Sequence, residues 1–322
     1  MKRIIILAAV VVLVVIAYSG AWLFIAGEVK KQVASLADAD GVTNPKITCT
    51  ELATGGYPFA MDVYCKGASL LSGDLTATLA EVRASVLVYQ PTHALVFATA
   101  PLTLKDAFTG SEQRLDFTQA QASVRLESWR IARVSVHAEN PAFYNTLPSD
   151  ELVAKASQLE LHLLDIPEQH EPAKGLAALA IYAPAENVVI PGFQIADGKI
   201  SIEAELNGLP DDVRLLGDAD AVRRWQAAAG VLKLVNVEGT DGDSFIKASG
   251  NLQLDSQMRA EGQIQLSSKG IVERLGDAIP AQLRTLMLGQ QAPDGSYGQT
   301  INIRAGVIMV GLVPVGMVPP LM

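Results

Sequence analysis

Through most of its length this chain alternates apolar and polar residues with a period of two. In DLTATL, Leu75, Ala77 and Leu79 take one phase; in VRASVLV, Val82, Ala84, Val86 and Val88 take the other. That period matches the pleat of a β-strand and not the turn of a helix, so one face of each segment is apolar and the other polar. The longest uninterrupted case is FIKASGNLQLDSQMRAEGQIQLSS. Here Ile246, Ala248, Gly250, Leu252 and Leu254 fall on one face, Asp255 to Gln257 turn, and Met258, Ala260, Gly262, Ile264 and Leu266 continue the same face on the way back. The pattern predicts a hairpin with one dry side.

Further strands are predicted at Leu159-Leu161-Leu163, Leu179-Ile181-Ala183 and Ile200-Ile202-Ala204-Leu206. The apolar phase slips by one residue between Leu79 and Val82, between Phe117 and Ala120, and between Ile131 and Val134. Such a slip sends the following side chains to the opposite face, so each marks a bulge or a strand break, and repeated bulges curl a sheet. Helical patterns are few: Ala219 to Ala229, Ile271 to Leu288 interrupted at Pro280, and short pieces around Phe143 to Ala156. Strands without alternating helices predict a mainly β fold, a curled antiparallel sheet forming either an open β-groove or a closed sandwich, with a few short helices. The closing AGVIMVGLVPVGMVPPLM predicts a strand followed by an extended tail, because its glycines and prolines stop a membrane helix.

One segment is different. Ile4 to Ala26 is a run of 23 residues without a charge, preceded by Lys2 and Arg3. As a helix it reaches ~34 Å, enough for the ~30 Å hydrocarbon core of a bilayer. The run outlasts the usual ~7–15-residue core of a signal peptide, which favours an uncleaved anchor; Ser19-Gly20-Ala21 keeps the cleaved alternative open. Trp22 is expected near the far interface. Lys2 and Arg3 hold the start in the cytoplasm, although Lys30 and Lys31 reduce the contrast. Glu28 to Ala39, with Val29, Val33 and Leu36 on one helical face, extends the anchor as a stalk that lifts the body off the surface. The expected organisation is therefore an anchor and stalk over 1–40 and one periplasmic β-rich domain over 41–322, with a seam near Ile166 to Gly175. The membrane partner implied is a bacterial inner membrane, engaged through residues 4–26.

The only two cysteines, Cys49 and Cys65, flank a Gly-Gly-Tyr-Pro-Phe. With a turn over Ala53 to Gly56, antiparallel neighbours on one face approach to ~4.5–5.5 Å, close to the separation a disulfide needs. Outside the cytoplasm the two would bridge; two separate buried thiols are the alternative. Pro58 marks a strand start or edge.

The net charge is −9 with a pI near 5.0, and no dense Lys/Arg cluster follows Lys31. That composition argues against a nucleic-acid partner and against a polybasic clamp on lipid headgroups. A search for chemistry yields no catalytic set. There is no G-x-S-x-G, and the four histidines His93, His137, His162 and His170 lack zinc-site spacing. Glu160 and His162 are read as a solvated strand face. Asp38-Ala39-Asp40 and Asp241-Gly242-Asp243 are read as turns and not calcium loops. No catalytic residue, metal or cofactor is expected; Trp129 and Trp225 are read as core.

The lone anchor, GGYPFAMDVYC and VGLVPVGMVPPL together resemble a family of bacterial envelope proteins, domain of unknown function 2125. Gly56, Tyr57, Pro58, Phe59 and Cys65 match its early segment; Gly311, Pro314, Gly316, Pro319 and Pro320 match its closing one. The resemblance implies a location and a fold and no established activity. More loosely, Ala248 to Leu275 looks like the strand signature of AsmA-like proteins, whose curled sheets form an apolar groove implicated in moving phospholipids. A bent sheet with one apolar face and too few helices to cover it predicts a groove for a phospholipid or other acyl ligand, lined by Ile246, Ala248, Leu252, Leu254, Met258, Ile264 and Leu266. A non-enzymatic envelope protein handling lipid is the favoured reading. A scaffold with a closed sandwich, binding protein partners through a polar face or an edge strand, is the alternative.

Overall fold

The computed structural model describes residues 2–42, 44–217, 220–270 and 289–321. The helix expected over Ile271 to Leu288 lies outside the described residues. The rest is mainly antiparallel β, as the alternation predicts, after one long apolar helix. Internal contacts divide the chain into two units, Met1–Gln121 with Asn145–Ser149, and Ala122–Tyr144 with Asp150–Met322.

The first unit opens with α1, Lys2–Ser35, followed by a 3-10 turn, Leu36–Asp38. Its strands are β1 (Lys46–Thr48), β2 (Glu51–Gly55), β3 (Ala60–Ser72), β4 (Leu75–Leu87), β5 (Gln90–Asp106) and β6 (Glu112–Asp116). They form a meander in which β1 and β2 both pair with β3, β3 with β4, β4 with β5 and β5 with β6. The turn expected at Ala53 to Gly56 is displaced: Ala53 to Gly55 belong to β2, and the chain reverses over Gly56 to Phe59. Gly56 has φ 96°, where a Cβ would come within 2.7 Å of the Ala60 carbonyl oxygen, so the reversal is fixed by a residue that only glycine suits. The phase slip after Leu79 is a register shift between β4 and β5, from Leu79 opposite Leu102 to Glu81 opposite Thr99.

The second unit contains most of β7 (Gln119–Glu127), then β8 (Arg130–Glu139), β9 (Ala142–Asn145), β10 (Glu151–Lys155) and β11 (Gln158–Asp165). β12 (Leu176–Ile190), β13 (Ile195–Pro210), β14 (Leu232–Asp241), β15 (Ser244–Leu254) and β16 (Ala260–Lys269) follow. It closes with β17 (Gln290–Gln291), β18 (Tyr297–Arg304), β19 (Val307–Val310) and β20 (Val313–Met317). β8, β11, β12, β13, β14, β15, β16, β18, β19 and β20 pair antiparallel in that order. The slip between Phe117 and Ala120 is the break between β6 and β7. The slip between Ile131 and Val134 produces no bulge in the ladder with β11, which is regular from Arg133 to Glu139; the irregularity sits in the preceding turn, where Ser128 and Trp129 both have positive φ. Bulges occur instead where no phase slip marks them, at Ala185 to Ile190 on β12 and between Leu234 and Val237 on β14.

Other segments differ from expectation in detail. Phe143 to Ala156 holds β9 and β10 and no helix, because short alternating AFYN and ELVAK fit strand edges. The helix expected from Ala219 is α2, Ala221–Ala227. The closing segment is a hairpin, β19 and β20 about Gly311, before its extended tail; Pro314 is tolerated because β20 is an edge strand. Trp129 is exposed at the β7–β8 turn with Arg214 stacked 4.7 Å over its ring, whereas Trp225 is half-buried and its Nε1 donates to the Asn207 carbonyl at 2.7 Å. Ile166 to Gly175 forms two 3-10 turns linking β11 to β12 within the second unit.

Candidate functional site

Tyr18, Trp22, Ile25, Val29, Val33 and Leu36 recur at spacings of three and four along α1 and the turn after it. They therefore form one stripe on the helix. The stripe faces the apolar side of the first unit's sheet, where Met61, Val63 and Cys65 of β3 and Val82, Ala84 and Val86 of β4 point the same way by strand alternation. The segment after Ala26 is thus not a free stalk: the apolar face that made it amphipathic has a sheet to lie on. Trp22 is 8% exposed and turned toward the sheet, and its Nε1 donates to the Ala60 carbonyl at 3.1 Å. Its ring meets Tyr57 edge-on at 5.5 Å.

Helix and sheet do not close completely on each other. Two cavities remain between them, one of about 470 Å³ bounded by Val33, Leu36, Ile47, the two cysteines and Ala77, the other of about 400 Å³ bounded by Tyr18, Trp22, Ile25, Val29 and Pro91. Val63 and Ala84 line both, so the two are neighbours along the helix axis. Their walls are almost wholly hydrocarbon, and each is within the ~300–1,000 Å³ of a small-molecule pocket. Cys49 and Cys65 are bridged, with Cα atoms 5.2 Å apart, at the floor of the larger one. Cys49 occupies the step between β1 and β2, where Gly67 at φ 56° lets Thr50 fold close against β3.

The opposite face of the same strands is polar. Asp62 is 4% exposed and pairs with Arg83 at 3.1 Å, while the Tyr64 hydroxyl donates to the same carboxylate at 3.1 Å. Arg83 also lies 5.5 Å over the Tyr64 ring. This set staples β3 to β4 and leaves the apolar face free for α1.

In the second unit the register brings Ala248 opposite Leu266, Leu252 opposite Gly262 and Leu254 opposite Ala260, with Ile264 opposite Gly250, all on one face. Met258 is not part of that face: it sits in the turn at φ 61°, its N–H bonded to the Asp255 carbonyl at 3.0 Å, and β16 begins at Ala260. Ile246 borders a small apolar cavity of about 220 Å³ with Val188, Ile190 and Ile200. A trough of about 510 Å³ crosses the polar face over Gly298, where Lys247, Ser249, Gln265 and Thr300 surround a missing side chain.

Glu160 and His162, expected on a solvated face, are half-buried in a cross-strand polar cluster. His162 Nδ1 lies 3.0 Å from Ser135 Oγ, its Nε2 lies 2.6 Å from Glu160, and His137 Nδ1 is 3.5 Å from the same carboxylate. Serine, imidazole and carboxylate stand in the order of a hydrolytic triad, but Ser135 lies mid-strand on β8 between β7 and β11. Its neighbouring amides are held in ladders, so no pair of N–H groups converges to stabilise an oxyanion. Tyr182 stacks on His162 at 6.2 Å, which makes the cluster a packed sheet feature. Among the described residues no three His, Cys, Asp or Glu side chains converge on a metal position. The His162 hydrogen bond holds the Glu160 carboxyl below the usual glutamate range. A depressed carboxyl stabilises the fold fully above its unfolded pKa of ~4.3, and that contribution is lost as pH falls through the lower folded value. Denaturant midpoints measured from pH 6 downward should therefore drop more in the parent than in Glu160→Gln, which has no such carboxyl to protonate.

A β-rich body joined to a helix long and apolar enough to cross a membrane, with mean hydropathy 2.8 in its most apolar stretch, defines the class: a protein consistent with a single-pass anchor. The chain belongs to the family described as uncharacterized protein conserved in bacteria (DUF2125), whose model matches residues 22–319. No curated protein and no solved structure matches it, so the strand likeness of Ala248 to Leu275 to AsmA-like proteins carries no further argument.

Proposed function

We propose that this is a non-enzymatic inner-membrane protein, its bulk in the periplasm, that holds an acyl chain of a phospholipid in the crevice between α1 and the first sheet. The observation that carries this reading is the pair of adjoining hydrocarbon-walled cavities beneath the membrane helix itself. Burial of apolar surface yields ~25 cal/mol per Å², so a hydrocarbon tail is the ligand these walls favour. A lipid leaving the bilayer along α1 would meet the crevice without crossing water. The bridged Cys49 and Cys65 support a non-reducing compartment, and the acidic composition with no basic cluster favours tail capture over headgroup attraction.

The position proposed differs from the Ile246 to Leu266 face on which the sequence alone focused. Gentle detergent purification followed by native mass spectrometry should find phospholipid on the parent chain and far less on Ala84→Phe, whose ring would project into both cavities. Because overpacking itself costs ~1–3 kcal/mol, a melting curve on the same variant keeps lipid loss separate from misfolding. A parent free of lipid, or equal loading of a folded Ala84→Phe, would reject the reading and favour a scaffold.

A further inference from the structure

The reversal Gly56 to Phe59 and the turn Val88 to Tyr89 lie side by side at one end of the first unit's sheet, with the Val88 N–H bonded to the Phe59 carbonyl at 3.0 Å. Both reversals are uncharged and rich in exposed apolar groups: Phe59 is 70% exposed and Tyr89 68%. They do not sit beyond the end of the membrane helix. Tyr18 donates its hydroxyl to the Pro58 carbonyl, and Ser19 Oγ lies 2.7 Å from the Tyr57 hydroxyl. The tips are thus fixed at the level of Tyr18, eight residues before the apolar stretch ends at Ala26.

That placement conflicts with a bilayer that stops short of the tips. From Ile4 to Ala17 a helix reaches only ~21 Å, well below the ~30 Å hydrocarbon core. Leu23 and Phe24, 66% and 74% exposed on the side of α1 turned away from the sheet, would then face water despite their apolar side chains. If the whole run to Ala26 is embedded, the tips lie ~12 Å inside its far end, slightly deeper than the ~5–10 Å at which amphipathic surfaces rest. Four carbonyls at this end are already paired within the protein. The carbonyls of Gly56, Pro58, Phe59 and Ala60 all accept hydrogen bonds, from the Ala60 amide, the Tyr18 hydroxyl, the Val88 amide and the Trp22 indole respectively. Pro58 has no amide hydrogen to leave unpaired. Carbonyls paired in this way enter a membrane at lower cost than unpaired ones.

We propose that these two hairpin tips are a membrane wedge, seated in the far leaflet of the same bilayer that α1 crosses, with Tyr57, Phe59 and Tyr89 among the acyl chains below the headgroup boundary. The partner is the lipid surface itself. This rests on the reading of α1 as a membrane span.

Since Cys49 and Cys65 are bridged, one added cysteine gives a single labelled position. Full-length Phe59→Cys, Tyr89→Cys, Val14→Cys and Phe108→Cys would be spin-labelled and placed, one chain per disc, in nanodiscs of phosphatidylcholine and phosphatidylglycerol. Phe108 is the exposed-aromatic control, at the β5–β6 turn at the other end of β5. Labels at 59 and 89 should lose collisions with a water-soluble nickel chelate and gain collisions with oxygen, as at 14, while 108 stays fully accessible to the chelate. Accessibility at 59 and 89 equal to that at 108, with 14 protected, overturns the wedge and leaves the span standing. Accessibility at 14 removes the span and the wedge with it. Protection at 59 and 89 that requires two chains per disc assigns the tips to a second copy and also overturns the proposal.

Discussion

Trp22→Ala should destabilise the packing of α1 on its sheet by about 3–5 kcal/mol, the usual cost of removing a large buried aromatic and leaving a cavity. Leu23→Ala, one residue away, should change it by less than ~0.5 kcal/mol. The contrast follows from orientation: Trp22 is buried against Ala60 and Tyr57, whereas Leu23 faces outward. Trp22→Phe separates the two components of the loss. It keeps a ring in the site but leaves the Ala60 carbonyl without its indole partner, a cost of about 1–3 kcal/mol. Hydrogen exchange across Val29 to Ser35 in detergent reads the effect directly, because those amides are protected by docking only if the helix stays on the sheet. Equal exchange in Trp22→Ala and the parent would mean that α1 does not depend on this contact, and the crevice beneath it would lose its roof.

Removal of the disulfide ranks next. Cys49→Ala with Cys65→Ala should lower stability by about 3 kcal/mol, since the bridge closes a loop of 16 residues in the unfolded chain. The loss should show as a lower denaturant midpoint in the oxidised parent's buffer. Adding reductant should shift the parent toward the double variant and leave the variant unmoved. Because both sulfurs border the larger cavity, lipid retention in the double variant tests whether the bridge also shapes the crevice. An unchanged midpoint would show that the step between β1 and β2 is held by Thr50 and Gly67 alone.

Much of this architecture was legible from spacing. The period-two alternation located β4, β11, β12, β13 and the β15–β16 hairpin, and the register of that hairpin pairs Ala248 with Leu266 as the pattern requires. The cysteine pairing was legible too, because a chain with two cysteines leaves one partner for each. Turn positions were less legible: Gly55 and Gly56 look alike in sequence, yet only Gly56 takes the left-handed backbone that reverses the chain. Met258 was misplaced for a related reason, since its phase fits the strand while the Asp255 carboxylate and carbonyl bind the amides of a turn around it. The Ser135, His162 and Glu160 cluster could not be seen, because it is made across two strands separated by a long stretch of chain.

The crevice shows most clearly where sequence reasoning stops. Its helical half was available: Tyr18, Trp22, Ile25, Val29, Val33 and Leu36 keep a helical spacing straight across the boundary between the uncharged run and Glu28. Composition divided that stripe into an anchor and a stalk, and periodicity alone would have kept it whole. What the chain determined by itself was the kind of each element, since side-chain period and charge are local properties that a helix or strand cannot escape. Which apolar faces meet was decided by the fold alone. An amphipathic helix is satisfied equally by lipid or by a sheet, and only the path of β2 through Gly56 to β3 brings a sheet within reach of Trp22.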